Sequence, residues 1–265
     1  MYKNPFYLAE IQIRNCQAEL LINDVPCFDS YKEGGTAVDW PINEYILNSG
    51  RQFYTINANC FENENKISKY ASIDFKITVR DAFDFSIPKQ IIKQHLKISF
   101  EEKDIQIYST GGFFEAQIPY TLEGWANSFS FSDYVNGNNT IKQKLFNELE
   151  EYYELFHQII KNRDTNKYNL INSQRFEEIT TAFYLTKEEK ESRKNTILNS
   201  SKQDVHKIDF SNYSLKFYGN KNQLVGIKIK DQPCGFVFEN QKGMIITELA
   251  LFHQKNNENK LSLIR

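Results

Sequence analysis

The sequence predicts an α+β protein: an N-terminal antiparallel β-sandwich of jelly-roll kind, a helical middle segment, and a C-terminal antiparallel β-meander packed on the helices. Three observations predict it. Residues 6–132 alternate apolar and polar side chains with period two. From Thr140 the apolar residues move to helical spacing, and from Asp209 the period returns to two. The expected division is a sandwich domain over 1–135 and a helical plus antiparallel-sheet domain over 136–265.

The N-terminal strands are "FYLAEIQIRN", "AELLIN", "RQFYTINANC", "YASIDFKITVRDA", "IQIYS" and "FFEAQIPY", each bounded by Asn, Asp, Gly or Pro. No helix intervenes between them, which favours an antiparallel sandwich. The stretch from Leu21 to Ile56 reads as a strand crossover. "LLIND" ends a strand, "VP" breaks it, and Gly34-Gly35 turns. Pro41 then disfavours helix at Trp40, and Gly50 suits a left-handed turn. The "TIKQ" capping box places a helix N-cap at Thr140, with Gln143 at N3. Ile141, Leu145, Leu149, Tyr152, Phe156 and Ile160 follow as one apolar stripe. A polar connection is expected between Lys161 and Asn172. A second helix starts at Ser173 with Phe176, Ile179 and Phe183 inward, and the "TKEE" box at Thr186 opens a third toward Leu198. "YSLKFYG" and "QLVGIKIKD" form a hairpin around "GNKN". "GFVFEN", "MIITELALFHQ" and "KLSLIR" complete the C-terminal sheet.

At 265 residues the chain buries enough surface to fold without a staple. The net charge of −2 hides an asymmetry: residues 1–140 carry 12 basic and 18 acidic residues, and residues 206–265 carry 9 and 5. The C-terminal lysines alternate along strands rather than clustering with aromatics, which argues against nucleic acid as a partner. The cysteines at 16, 27, 60 and 234 lack the C-x-x-C spacing of a zinc or redox site, and their pairing is left open. No run near 20 apolar residues and no N-terminal apolar leader occurs. The expectation is a cytoplasmic protein without a membrane span, or a periplasmic one had a signal peptide been removed.

Catalytic motifs are missing from the sequence. "EGGT" and "GGFF" lack the lysine of a phosphate-binding loop, and no G-x-S-x-G or H-E-x-x-H occurs. The histidines at 95, 157, 206 and 253 are scattered. His157, beside Tyr153 on the helical stripe, reads as a core or boundary residue. Glu148, Glu150, Glu151 and Glu154 read as acids placed near a helix N-terminus. No cofactor and no metal are expected, and the chain is expected not to be an enzyme.

On Asn23, Gly35, Pro41, Ile42, Asn43 and Gly50 the N-terminal part resembles the accessory β-sandwich modules of glycoside hydrolases, with Gln52 where those modules carry Asn. That resemblance implies a β-sandwich and carries over no sugar site. "LKFYGNKNQLVGIKIKD" and the terminal "LSLIR", behind a helical block, are similar to bacterial proteins of secretion-system and polymorphic-toxin neighbourhoods. The helix-then-sheet order also looks like the nuclear-transport-factor-two-like cone, which would set Tyr152, Phe156 and Phe183 against the sheet.

The resulting expectation is a non-catalytic protein-binding protein, in concrete form an immunity protein occluding a bacterial toxin, such as one delivered by type VI secretion. Its partner is another protein. Contact anchors are expected at Tyr31, Trp40 and Tyr45, with Lys32, Glu33 and Asp39 as rim charges; against this, Trp40 before Pro41 reads first as a plug for the end of the sandwich. Two other readings compete. A carbohydrate-binding or accessory sandwich would use Trp40, Trp125 and Tyr120. A small-molecule enzyme in the C-terminal half would pair His157 with a glutamate.

Overall fold

The computed structural model describes residues 2–31, 33–192, 209–229, 232, 234–239 and 245–265. The chain divides into two compact units. The first is Met1–Leu122 with Ala182–Tyr184, and the second is Glu123–Thr181 with Leu185–Arg265. The division therefore falls after Leu122, ahead of the expected 135. The reason lies in residues 125–131: Phe129 and Phe131 donate backbone N–H groups to Gln254 and Asn222, and Phe131 is buried in the second unit's core.

The first unit is a two-sheet β-sandwich built from β1 (Pro5–Arg14), β2 (Gln17–Ile22), β3 (Val25–Ser30), β4 (Gly35–Pro41), β5 (Gly50–Asn59), β6 (Ser72–Asp81), β7 (Gln90–Ser99) and β8 (Ile107–Ala116). One sheet has the order β4-β1-β6-β7 and the other β3-β2-β5-β8, every pairing antiparallel. Successive strands such as β1 and β2, or β5 and β6, lie in different sheets. The pairings nest, which is the jelly-roll manner of winding. Alternation decides which residues meet between the sheets: Tyr7, Ala9, Ile11 and Ile13 of β1 face inward, as do Ile73, Phe75, Ile77 and Val79 of β6. Tyr54 of β5 meets Phe75 at 4.9 Å, and Tyr7 meets Phe114 of β8 at 6.2 Å.

Three strands, β3, β4 and β7, go beyond what the periodicity predicts. "VP" does not break the chain. Asn23 and Asp24, both at positive φ (51° and 62°), make a two-residue turn, and Val25–Ser30 returns as β3. Pro26 and Pro41 are tolerated because β3 and β4 are sheet edges, where a missing N–H costs no ladder bond. "IQIYS" and "FFEA" are one strand rather than two. Gly111 and Gly112 lie inside it because Tyr54 crosses there; a Cβ on Gly112 would sit 2.7 Å from the Tyr54 hydroxyl.

The residues behind the accessory-module resemblance turn out to be structural pins. Asn23 Nδ2 donates to Tyr45 O and to Gln52 Oε1, both at 2.8 Å, and its Oδ1 accepts from Phe53 N at 3.0 Å. Gln52 Nε2 donates to Asn48 O and Gly50 O. Asn43, fully buried in the 3₁₀ turn Asn43–Tyr45, accepts from Tyr7 N at 2.7 Å and donates to Pro5 O at 2.9 Å. An Asn43→Ala variant leaves Tyr7 N without its acceptor in the interior, while Pro5 O keeps the Tyr184 hydroxyl at 3.1 Å. The expected loss is about 2 kcal/mol of stability, read by urea denaturation.

The second unit contains α1 (Ser132–Val135), α2 (Asn139–Asn162), α3 (Thr165–Ile171) and α4 (Ser173–Ala182), then β9 (Ser214–Tyr218), β10 (Leu224–Lys228), β11 (Gly235–Glu239), β12 (Ile245–Leu249), β13 (Phe252–Gln254) and β14 (Leu261–Leu263). Its main sheet has the order β14-β13-β10-β9, and β11-β12 form a separate two-stranded ladder. It is therefore not a simple meander, and "MIITELALFHQ" is broken between β12 and β13. The N-cap of α2 is Asn138, not Thr140: Asn138 Oδ1 accepts from Ile141 N at 3.0 Å, and Asn caps better than Thr. Ile141, in the first turn, is exposed, and the core face of α2 is Leu145, Leu149, Tyr153, Phe156 and Ile160, with Tyr153 rather than Tyr152 fully buried. Phe156 stacks on Phe236 at 3.9 Å, and Tyr152 lies 5.2 Å from Phe252.

The stretch between Lys161 and Asn172 is not a connection but holds α3, capped by Asp164 and buried through Tyr168. Phe183 does not join this core; with Tyr184 it belongs to the first unit, 5.8 Å from Phe6. The Thr186–Glu189 box forms as expected, each residue bonding the other's backbone N–H. The helix it opens is described over residues 187–192, and its run toward Leu198 lies outside the described residues, as do His206 and Lys32.

Candidate functional site

The expected anchors do not share one surface. Tyr45 is 3% exposed, buried in the 3₁₀ turn, so it cannot contact a partner. Tyr31 donates its hydroxyl to the Glu19 carboxylate. Glu33 is exposed in the turn between β3 and β4. Trp40 and Asp39 are neighbours on β4, so their side chains leave opposite faces. Trp40 pairs in register with Ala9 and packs 5.4 Å from Phe28 of β3, closing the flank between the two edge strands while remaining 37% exposed. Asp39 is exposed on the outer face of the β4-β1-β6-β7 sheet.

On that outer face the strand registers assemble a site that the linear sequence hides. Across β4, β1 and β6, Asp39 stands beside Glu10 and Glu10 beside Lys76. In the adjoining row Ala37 stands beside Gln12 and Gln12 beside Asp74. The small Ala37 side chain leaves a hollow of about 440 Å³ walled by these groups. Glu10 is its fixed centre, with Lys76 Nζ 2.7 Å from Oε2, Thr78 Oγ1 donating to Oε1 at 2.9 Å, and Lys89 also paired to Oε1. Burial opposes its charge, but these donors outweigh burial and hold the carboxyl at about 2. Among the described residues Asp39 has no ion-pair partner. Two acids directly opposite on a sheet repel; Lys76 and Lys89 offset that for Glu10 and leave Asp39 facing solvent. The hollow thus presents carboxylates and an amide to a cationic or hydrogen-bond-donating group. Sequence reasoning does not reach Glu10, Gln12, Asp74 and Lys76, because it gives no strand at β4 for them to pair with. The alternation in "AEIQIR" and "SIDFKI" nonetheless places each of them on one face.

The aromatics of the carbohydrate reading are apart in role. Trp125 is buried in the second unit, and Tyr120 in the first donates its hydroxyl to Asn43 O. His157 is buried on the inner stripe of α2, while Glu154 is exposed.

The second unit holds a buried polar cluster. The Arg265 side chain is fully buried, with Nη1 2.8 Å from Glu178 Oε2 and its guanidinium 5.1 Å from the Trp125 ring. Glu178 Oε1 accepts from Gly124 N at 2.9 Å and from Gln174 Nε2 at 3.1 Å. His253, 1% exposed, shares a 2.7 Å hydrogen bond between Nδ1 and Ser128 Oγ. Burial first, then the charges of Lys255 and Arg265, lower its pKa to about 4 against the opposing pull of Glu178.

Among the described residues no group of three or more His, Cys, Asp or Glu is placed to hold a metal ion. No disulfide links the four cysteines; Cys27 and Cys234 instead donate to the carbonyls of Leu20 and Ile227. No helix among the described residues is long and apolar enough to cross a membrane. A scan of protein-family models and searches of curated proteins and of solved structures find no match to this chain.

Proposed function

We propose that this chain is a non-catalytic protein-binding protein that acts by occlusion, with neutralisation of a bacterial toxin as its concrete form. The observation that carries the reading is the hollow around Glu10, in which Asp39 faces solvent beside Glu10 and Asp74 lines the adjoining row. A partner presenting lysine or arginine fits there, because charge complementarity steers encounter and fixes register. Trp40, partly exposed on the neighbouring flank over Phe28, supplies an aromatic contact next to that face. The toxin-neutralising form rests on the similarity of the C-terminal strands to proteins of polymorphic-toxin neighbourhoods. A standard interface of about 1,600 Å² would cover a toxin's working surface.

The test is affinity capture from the native lysate, followed by reconstitution with the purified captured protein. A one-to-one complex that weakens at least about tenfold in Asp39→Lys, and again in Trp40→Ala, supports the reading. A complex indifferent to both substitutions, or no protein partner, sinks it.

A further inference from the structure

The second unit carries another surface, independent of the hollow on the first. β9 is the outer strand of its sheet, and among the described residues its free edge has no strand partner. Alongside it lie two adjoining cavities that share Gln143 and Phe146 of α2 as a common wall: one of about 560 Å³ between α2 and β9, and one of about 520 Å³ between α2 and residues 209–211, just ahead of β9. One cavity has an apolar floor from Phe146, Leu215 and Phe217, and the other ends in Glu150, Glu154 and Asp209.

We propose that this groove docks an extended, lysine- or arginine-bearing segment of a partner protein, added to the sheet as a strand beside β9. The edge supplies main-chain hydrogen bonds, and pockets for alternate side chains supply selectivity. A strand the length of β9 offers about 16 Å of ladder. Apolar residues of the segment would enter over Phe217 and Leu215, and a basic residue would reach Glu150 and Glu154. Two of the four edges of the first unit, β3 and β4, carry Pro26 and Pro41, which blunt strand addition. β9 carries no proline.

The test pans random phage-displayed heptapeptides against the full chain. The best sequence is then synthesised and its affinity measured by fluorescence anisotropy. The expected winner alternates apolar residues and includes lysine or arginine. Its affinity should fall at least about tenfold for Glu150→Lys/Glu154→Lys, two changes on the solvent side of α2 that leave the fold intact by circular dichroism. N-methylating every second peptide amide should abolish binding in one register and spare it in the other, because only one set faces the strand. No enriched peptide, binding that survives the charge reversal, or equal tolerance of methylation in both registers would overturn the proposal.

Discussion

Glu178→Gln should destabilise the second unit by about 3–5 kcal/mol, the usual cost of removing one partner of a buried ion pair. The Arg265 side chain is fully shielded from water, and its guanidinium sits between Glu178 and the Trp125 ring. Without the carboxylate its charge loses the Glu178 counter-charge in a place that water does not reach, keeping the Ile264 carbonyl and the Trp125 ring. The amide oxygen introduced by the substitution would still accept from Gly124 N, so the loss isolates the charge rather than the backbone contact. The double variant Glu178→Gln/Arg265→Met should recover most of the loss, because an apolar chain of similar reach then fills the space. The chain has two tryptophans, Trp40 in the first unit and Trp125 in the second. In a Trp40→Phe background, Trp125 fluorescence during urea denaturation reads the second unit alone. A loss under about 1 kcal/mol for Glu178→Gln would mean that water reaches the pair.

Acid should weaken the second unit through His253. Its folded pKa of about 4 lies below the ordinary 6.5, so the unfolded chain binds the proton more readily. The neutral ring's contribution, about 3 kcal/mol, is complete above the ordinary histidine pKa and is lost as pH falls toward the folded value. The groups facing the ring are Ser128, Lys255, Glu178 and Arg265. In the first unit Glu10 and Asp81, both held at about 2, lose their contributions only as pH falls below the ordinary carboxylate range. Burial raises the pKa of Asp24 in the first unit, so the interval from about pH 6.5 to about pH 4.5 isolates the histidine when the second unit is read alone through Trp125 in the Trp40→Phe background. Stability measured there should slope with pH in the wild type and be flat in His253→Gln. Equal slopes would assign the acid sensitivity elsewhere.

The architecture is legible in the sequence wherever periodicity is unbroken. β1, β5 and β6 alternate cleanly, and α2 repeats Leu145, Leu149, Tyr153, Phe156 and Ile160 on one face. What is not legible depends on edges and on long-range pairing. β3 and β4 contain proline and little apolar alternation, because an edge strand need not donate on both sides. α3 is hidden because its seven residues bury one tyrosine, too few for a helical stripe. The Asn23, Asn43 and Gln52 pattern stands out in the sequence, but its purpose does not; three side chains holding distant backbone groups can be read only once the strands are paired. The same holds for the hollow around Glu10. Asp39 stands out as a rim charge, yet its companions Glu10 and Asp74 lie far from it in the sequence and meet it through registers that no local pattern specifies. Trp40 stands out for its type and turns out to close the flank over Phe28.

The most direct test of the binding account is the association rate of the purified chain with its captured partner, followed as ionic strength rises. Steering by the Asp39 face predicts a wild-type rate that falls steeply with salt and a slower, nearly salt-independent rate for Asp39→Lys. A rate that ignores salt, or one unchanged by the substitution, would contradict the account and take the partner away from this face.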